Sequence, residues 1–483
     1  MADDLDLVSK LSIEEKAIRE FRLKCISPDD GKYGKAIDTL RDFLSAEAEW
    51  RACVSLQGVL LQTRVEFGQA KPKHLIEFGL VLDKIDLLNM ALLEEKVTHH
   101  DQLAVIEEIG RFVSPETKAL LHPGTTSYDI LDTARARLLK RVWVEIIRPE
   151  IAKSVKKLCD LAEDTKDVIQ VGRTHLQNTS PVLFGGVLAG YVARLAERVF
   201  RCDMYFNDLR GKISGIVGTG ASIDMVVGDG KSMEFEKTVL ACLELKPDYT
   251  ATQITQKERL ADVGHGLVSL MHVLGDFTND MRMLYSSAIG EVSDREASER
   301  LGGSSADAGK NNPINWENIS GKVAVVESGM RVLYEMIHSD FQRDLRGSVQ
   351  ARYQPNAMIA ETYESFVRLN KSLETLSVNE NRIAENLNAV RENPTEAMVA
   401  ILRAEGFVHS KYGVGHEFVK VMGREAKRSG RKLLYVCQED KEFLEQYKRL
   451  TIIKQCILQG RLEDYLGSAC ERASANISYA KSV

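Results

Sequence analysis

Residues 260–284 read LADVGHGLVSLMHVLGDFTNDMRML, and their apolar side chains recur at helical intervals: Leu260, Val263, Leu267, Leu270, Leu274, Phe277, Met281 and Leu284. Steps of three and four residues draw one apolar stripe along a helix, whereas a strand needs alternation with a period of two. The same rhythm returns in Leu188, Val192, Leu195 and Val199, and again in Val323, Val326, Met330, Leu333 and Ile337. Proline is scarce, at 10 residues, and the tracts 182–246 and 248–312 contain none, so nothing there interrupts a helical hydrogen-bond ladder. Strand-like alternation is absent over comparable lengths. The spacing predicts an all-α protein around a central bundle of long helices.

Outward from this bundle, 483 residues leave room for two or three domains at roughly 100–200 residues each. Between Arg111 and Gly124, Ser114-Pro115-Glu116 reads as a helix start and His122-Pro123-Gly124 as a break. From Gly406 onward glycines recur at 413, 415, 423 and 430, beside the basic cluster Arg424, Lys427, Arg428, Arg431 and Lys432, which reads as a solvated face. The predicted division is an N-terminal helical domain over 1–115, the bundle over 116–370 and a small C-terminal helical domain over 371–483.

Hydrophobic residues at 44% and charged residues at 28% exclude a disordered chain or a fibrous repeat. Acidic residues outnumber basic ones, 70 to 64, for a net charge of -6, which argues against a nucleic-acid partner. The longest uncharged stretch, 176–193, carries Gln177, Asn178, Thr179, Ser180 and Pro181 and is a poor membrane span. An acidic start, Met-Ala-Asp-Asp-Leu-Asp, does not resemble a signal peptide, so a cytoplasmic location is expected. The 8 cysteines form no CxxC pair and read as reduced thiols.

One segment has little use in a helical bundle: Gly302-Gly303-Ser304-Ser305-Ala306-Asp307-Ala308-Gly309-Lys310-Asn311-Asn312-Pro313. A Walker A motif fails at Ser304 and Asn311, and a nucleophile elbow fails at Ala306. An ordinary surface loop rich in small residues is the other reading. The segment, followed by Glu317-Asn318, resembles the GSSxMPxKxNP loop of the fumarase/aspartase superfamily. Two further stretches agree: Thr125-Thr126-Ser127-Tyr128-Asp129-Ile130-Leu131-Asp132-Thr133-Ala134 is similar to that superfamily's TSxDxxDTA, and Gly172-Arg173-Thr174-His175-Leu176-Gln177 to its GRTHLQ.

Within the superfamily the adenylosuccinate lyase branch is the best match. Gly211-Lys212-Ile213-Ser214-Gly215-Ile216-Val217-Gly218-Thr219 resembles its GKISGAVGT, and Thr252-Gln253-Ile254-Thr255-Gln256-Lys257-Glu258-Arg259 its TQxxQRDR. Gln342-Arg343-Asp344-Leu345 with Ser348 and Arg352 resembles its ERDxxxSxxxR, His100-Asp101 its HD pair, and Lys32-Tyr33-Gly34 its RYG. Departures fall at Asp307-Ala308, where Met-Pro is usual, at Leu176-Gln177, which is more typical of fumarases and 3-carboxymuconate cycloisomerases, at Lys32 for Arg and at Val349 for a second serine.

The resemblance implies a three-domain, homotetrameric fold, with each active site built from three chains, and an anti β-elimination that releases fumarate from a succinylated nucleotide. It assigns Ser304 as the base, with Gly302, Gly303 and Lys310 stabilising its oxyanion, and His175 as the acid, oriented by Glu317. The resemblance further implies that Lys310 stabilises the aci-carboxylate intermediate. Implied substrate contacts are Lys32, Tyr33, His100, Asp101, Thr126, Ser127, Gln256, Asn312, Arg343, Ser348 and Arg352. His100 has a second reading as a helix terminus, and His122 either touches a phosphate or fills a turn.

Proton transfer and charge stabilisation call for no cofactor, and the histidines show neither HExxH nor paired i, i+4 spacing for a metal. Alternatives are another superfamily activity, such as carboxymuconate cycloisomerase, argininosuccinate lyase or an aminodicarboxylate lyase, and a catalytically dead helical bundle. Asp307 is expected to point away from the substrate or to pair with a basic side chain.

Overall fold

A computed structural model of the protein describes residues 11–294 and 310–483. The helical periodicity is realised in long helices over Phe184–Asn207, Glu258–Tyr285, Ile314–Met336 and Asn356–Thr375. None of the helices among the described residues is long and apolar enough to cross a membrane. The chain gathers into two compact units whose segments alternate in sequence: 1–152, 198–272 and 321–368 in the first, 153–197, 273–320 and 369–483 in the second.

In the first unit the apolar stripe of the 258–285 helix is the core, with Val263, Leu267 and Leu270 wholly buried. Gly264 makes the close helix packing there: a Cβ on it would lie 2.2 Å from Leu333 Cδ1 and 2.8 Å from the Met330 sulfur. Absence of a side chain thus lets the 314–336 helix approach, at the usual cost of glycine in a helix interior. Trp143 stacks on Phe206 with ring centroids 4.6 Å apart and donates its indole N–H to Asp203 at 2.7 Å, so its one polar atom is satisfied in the core.

In the second unit Tyr191, Phe277 and Trp316 pack edge to face, at 5.4 and 6.0 Å between successive centroids. Shorter helices toward the C-terminus, among them Thr395–Ala404, Gly415–Ser429 and Lys441–Arg449, enclose a core of their own around Met398, Leu402, Phe418 and Phe443. Within this helical fold, a short antiparallel hairpin joins β1, Ile169–Thr174, to β2, Gln177–Leu183. Neither strand alternates apolar and polar residues along its length, which hides the pair from a period-two reading.

Candidate active site

Within the first unit, the helix Ser127–Val142 carries two inward carboxylates one turn apart, and each clamps a separate loop. Asp129 has no exposed side-chain surface and forms an ion pair with Lys212, itself fully buried. It also accepts from the backbone N–H of Thr126 at 2.7 Å, of Ser214 at 3.0 Å and of Gly215 at 3.1 Å. The Lys212 ammonium donates a further bond to the Gly215 carbonyl at 3.1 Å. A buried charge pair is stable only when its remaining hydrogen-bonding capacity is met, and here it is. Asp132 does the same for the other loop, accepting from the Thr255 N–H at 2.8 Å and from Lys257 Nζ at 2.7 Å. Burial opposes ionisation of Asp132, but Lys257, Arg135 and the Thr255 N–H together outweigh it and hold the carboxyl below its usual range. The two loops also meet directly: a Cβ on Gly218, whose φ is +81°, would lie 2.3 Å from the Ala251 carbonyl oxygen.

This frame presents the first residues of the helix. Ser127 Oγ is 3.0 Å from His100 Nε2, while His100 Nδ1 caps the helix Asp101–Gly110 by accepting from the Leu103 N–H at 3.5 Å. His100 is thus a helix terminus, as its second reading had it, and capping with Nδ1 leaves Nε2 for Ser127. Asp101 Oδ1 is 3.3 Å from the same imidazole. The next residue, Tyr128, hydrogen-bonds through its hydroxyl to Ser348 Oγ and lies under the Arg343 guanidinium, 3.9 Å from its ring centroid. Arg343 donates to Ser348 Oγ at 3.0 Å and to Gln253 Oε1 at 3.1 Å. The guanidinium is thus held by an aromatic face, a hydroxyl and an amide oxygen at once.

Other expected contacts of this unit are placed differently. The Gln256 side chain donates to the Thr250 carbonyl at 2.7 Å and so braces its own loop. Arg352 is exposed and acts electrostatically on Glu94, whose carboxyl is pushed up by burial and by Asp101. Lys32 is exposed, and Tyr33 lies beneath Lys322 Nζ, 4.1 Å from the ring centroid. Lys322 is buried between Glu361 and Glu364, at 2.6 Å from the latter. His122, at φ +68°, is pushed down to about 4 by burial, which keeps it neutral near pH 7. Its turn is pinned by buried Arg64, which donates to the Leu120 and Pro123 carbonyls, both at 2.7 Å.

In the second unit His175 is exposed at the apex of the β1–β2 hairpin. His175 and Leu176 form the two-residue turn between paired Thr174 and Gln177, with φ of 52° and 59°. Hairpin turns of this hand favour Asn and Gly; two residues with larger side chains there carry local strain, a feature concentrated at functional sites. Lys310 and Glu317 are exposed as well, Glu317 in the first turn of the 314–336 helix. Asn311 hydrogen-bonds to the Tyr285 hydroxyl, and Asn312 is half-buried. Among the described residues no hydrogen bond or ion pair joins His175 to Glu317 within the chain. Ser304, Gly302, Gly303 and Asp307 lie outside the described residues.

Sequence reasoning missed the contacts of Tyr128, Gln253 and Lys212, which stand inside the quoted motifs, so their place there was the available signal.

A family model described as "Lyase" matches residues 83–327, half of the chain. The chain is 26% identical to adenylosuccinate lyase of Archaeoglobus fulgidus over 464 residues, 95% of this chain and 99% of the other. It is 30% identical to adenylosuccinate lyase of Pyrococcus horikoshii over 398 residues, 80% and 82% of the two chains. Among solved structures, a fumarate lyase from Mesorhizobium matches with a TM-score of 0.78 at 21% identity, covering 91% of this chain and 97% of the other. The 3-carboxy-cis,cis-muconate lactonizing enzyme of Pseudomonas putida matches with a TM-score of 0.79 at 20% identity, covering 92% and 97%. The chain belongs to this lyase family, the fumarase/aspartase superfamily. It is an enzyme, a lyase, and within the superfamily it is most like the adenylosuccinate lyases.

Proposed function

We propose that the protein cleaves adenylosuccinate to AMP and fumarate by anti β-elimination, and the corresponding succinylated aminoimidazole carboxamide ribotide in purine synthesis. The observation that carries this reading is the Arg343 guanidinium, seated on Tyr128 and bonded to Ser348 and Gln253. It supplies a fixed cation with a hydroxyl beside it, the chemistry that a nucleotide monophosphate requires and a simple dicarboxylate does not.

In this proposal Ser304 removes the proton beside the substrate carboxylate, and Lys310 stabilises both the serine oxyanion and the aci-carboxylate that forms. Asn312 holds a carboxylate. His175 protonates the departing nitrogen, and Glu317 orients its ring and favours the imidazolium. Thr126, Ser127, His100 and Asp101 line the substrate beside Arg343, with Lys32, Tyr33, Gln256 and Arg352 at its margins. Exposure of both His175 and Glu317, which no hydrogen bond or ion pair joins among the described residues, supports assembly of the pair between copies in a homotetramer.

The test is to incubate purified protein with adenylosuccinate, argininosuccinate and carboxymuconate and to follow each by ultraviolet absorbance. Turnover of adenylosuccinate alone is the expected result. Turnover of either other compound in its place would reassign the chain within the superfamily.

A further inference from the structure

The hairpin bearing His175 is anchored away from its tip. Strand β1 presents Gln170 and Arg173 to Glu291, whose side chain has no exposed surface. Gln170 Nε2 donates to Glu291 Oε2 at 2.6 Å, Arg173 Nη2 to Oε1 at 2.6 Å, and Arg173 Nη1 to Oε2 at 3.2 Å. From the helix Glu380–Glu392, Asn386 Nδ2 adds a bond to Oε1 at 2.8 Å. The Glu291 backbone is fixed as well, its N–H donating to the Leu284 carbonyl at 3.0 Å and its carbonyl accepting from Asn379 at 2.9 Å. A satisfied buried charge pair adds little net stability over an apolar packing of the same volume, but it does define direction, because guanidinium and carboxylate meet in only a few orientations.

Between this node and the tip the ladder slips: Val171 faces Pro181, yet Arg173 faces Asn178. Gly172 allows the slip, since a Cβ on it would lie 2.6 Å from the Ser180 carbonyl oxygen. Bulges of this kind re-aim the residues beyond them. At the tip no hydrogen bond among the described residues holds the His175 ring, so its aim depends on the backbone that Arg173 and Gln170 fix.

We propose that Glu291 is the positioning residue of His175: it touches no substrate, and it acts on proton transfer by fixing the base of the hairpin. This rests on the reading of His175 as the acid.

A double-mutant cycle on the full-length enzyme tests it, with kcat and KM measured for Glu291→Gln, His175→Ala and the pair, on whichever of the three substrates the parent turns over. Glu291→Gln is expected to lower kcat about 10- to 100-fold with KM within about threefold, and to have no effect beyond about threefold once His175 is already alanine. A loss that multiplies with that of His175→Ala, or an unchanged kcat in Glu291→Gln, overturns the proposal. Parent-like turnover by His175→Ala overturns the acid assignment and the proposal with it, an outcome distinguishable from the first two. If Glu291→Gln does not fold, Asn386→Ala leaves the Arg173–Glu291 pair intact. Its expected kcat loss is about 3- to 10-fold, silent in the His175→Ala background, and additivity there overturns the proposal equally.

Discussion

Asp129 and His175 sit in opposite settings. The Asp129 carboxylate is fully buried and accepts from Lys212 and from the backbone of Thr126, Ser214 and Gly215; His175 is exposed at a strained apex, with no hydrogen bond to its ring among the described residues. The groups proposed to frame an anion are locked by satisfied buried charges, which suits binding that must be ready before a substrate arrives. The group assigned to move a proton is left accessible, and only the base of its hairpin is fixed. Burial and hydrogen bonds are concentrated in the frame, and exposure is left at the group proposed to transfer the proton.

The strongest way to break this contrast is at its exposed end. His175→Ala is expected to lower kcat by roughly 10²–10⁴ while leaving the thermal midpoint within a few degrees, because the residue is exposed. A large drop in midpoint with intact turnover would reverse the assignment of roles. At the buried end, Asp129→Asn leaves Lys212 as an unpaired interior charge and is expected to destabilise by about 3 kcal/mol, read as a lowered urea midpoint. Unchanged stability would mean that the loops are held by other contacts.

Between the extremes, Arg343→Ala is expected to raise KM for adenylosuccinate about 10- to 100-fold and to change kcat little, as for loss of a charge-assisted contact made equally in ground and transition states. A pure kcat effect would move Arg343 into the chemistry. Leu176→Gly relieves the left-handed backbone and is expected to shift stability by less than about 1 kcal/mol in either direction, since glycine also gains freedom in the unfolded chain. Its kcat, compared with the parent, reports whether a stiff apex aids the acid.

A pH-dependent effect lies apart from these, at the carboxyl of Asp29. Asp29 is pushed up to about 7 by burial and by Glu361 nearby. Below its unfolded value near 4 both states are protonated; between about 4 and 7 only the folded state holds the proton, so folding weakens as pH rises through that window. Asp29→Asn is therefore expected to raise the thermal midpoint more at pH 8 than at pH 5, and an equal gain at both would discard the proton-linked explanation.

The bundle was legible because stripes such as Leu260 to Leu284 and Leu188 to Val199 repeat the helix period over many turns. The hairpin was not, because β1 and β2 are short, alternate poorly and join through His-Leu, which carries no turn signal. At the site, the motif stretches pointed to the Ser127, His100 and Arg343 neighbourhood, which the first unit does gather. Their mutual support was hidden for a physical reason: Asp129 meets Lys212, Asp132 meets Thr255 and Arg173 meets Glu291 across chain distances over which no periodicity operates.

The burial of Lys212 also has a chemical use. An ammonium without exposed surface, ion-paired with Asp129, is shielded from amine-acylating reagents, whereas Lys310 is open to them. Mass-resolved labelling of the intact enzyme should therefore mark Lys310 within the first exposure and spare Lys212 until the loops around it open. Reactivity at Lys212 then serves as a built-in footprint of the opened frame, readable without any assay of turnover.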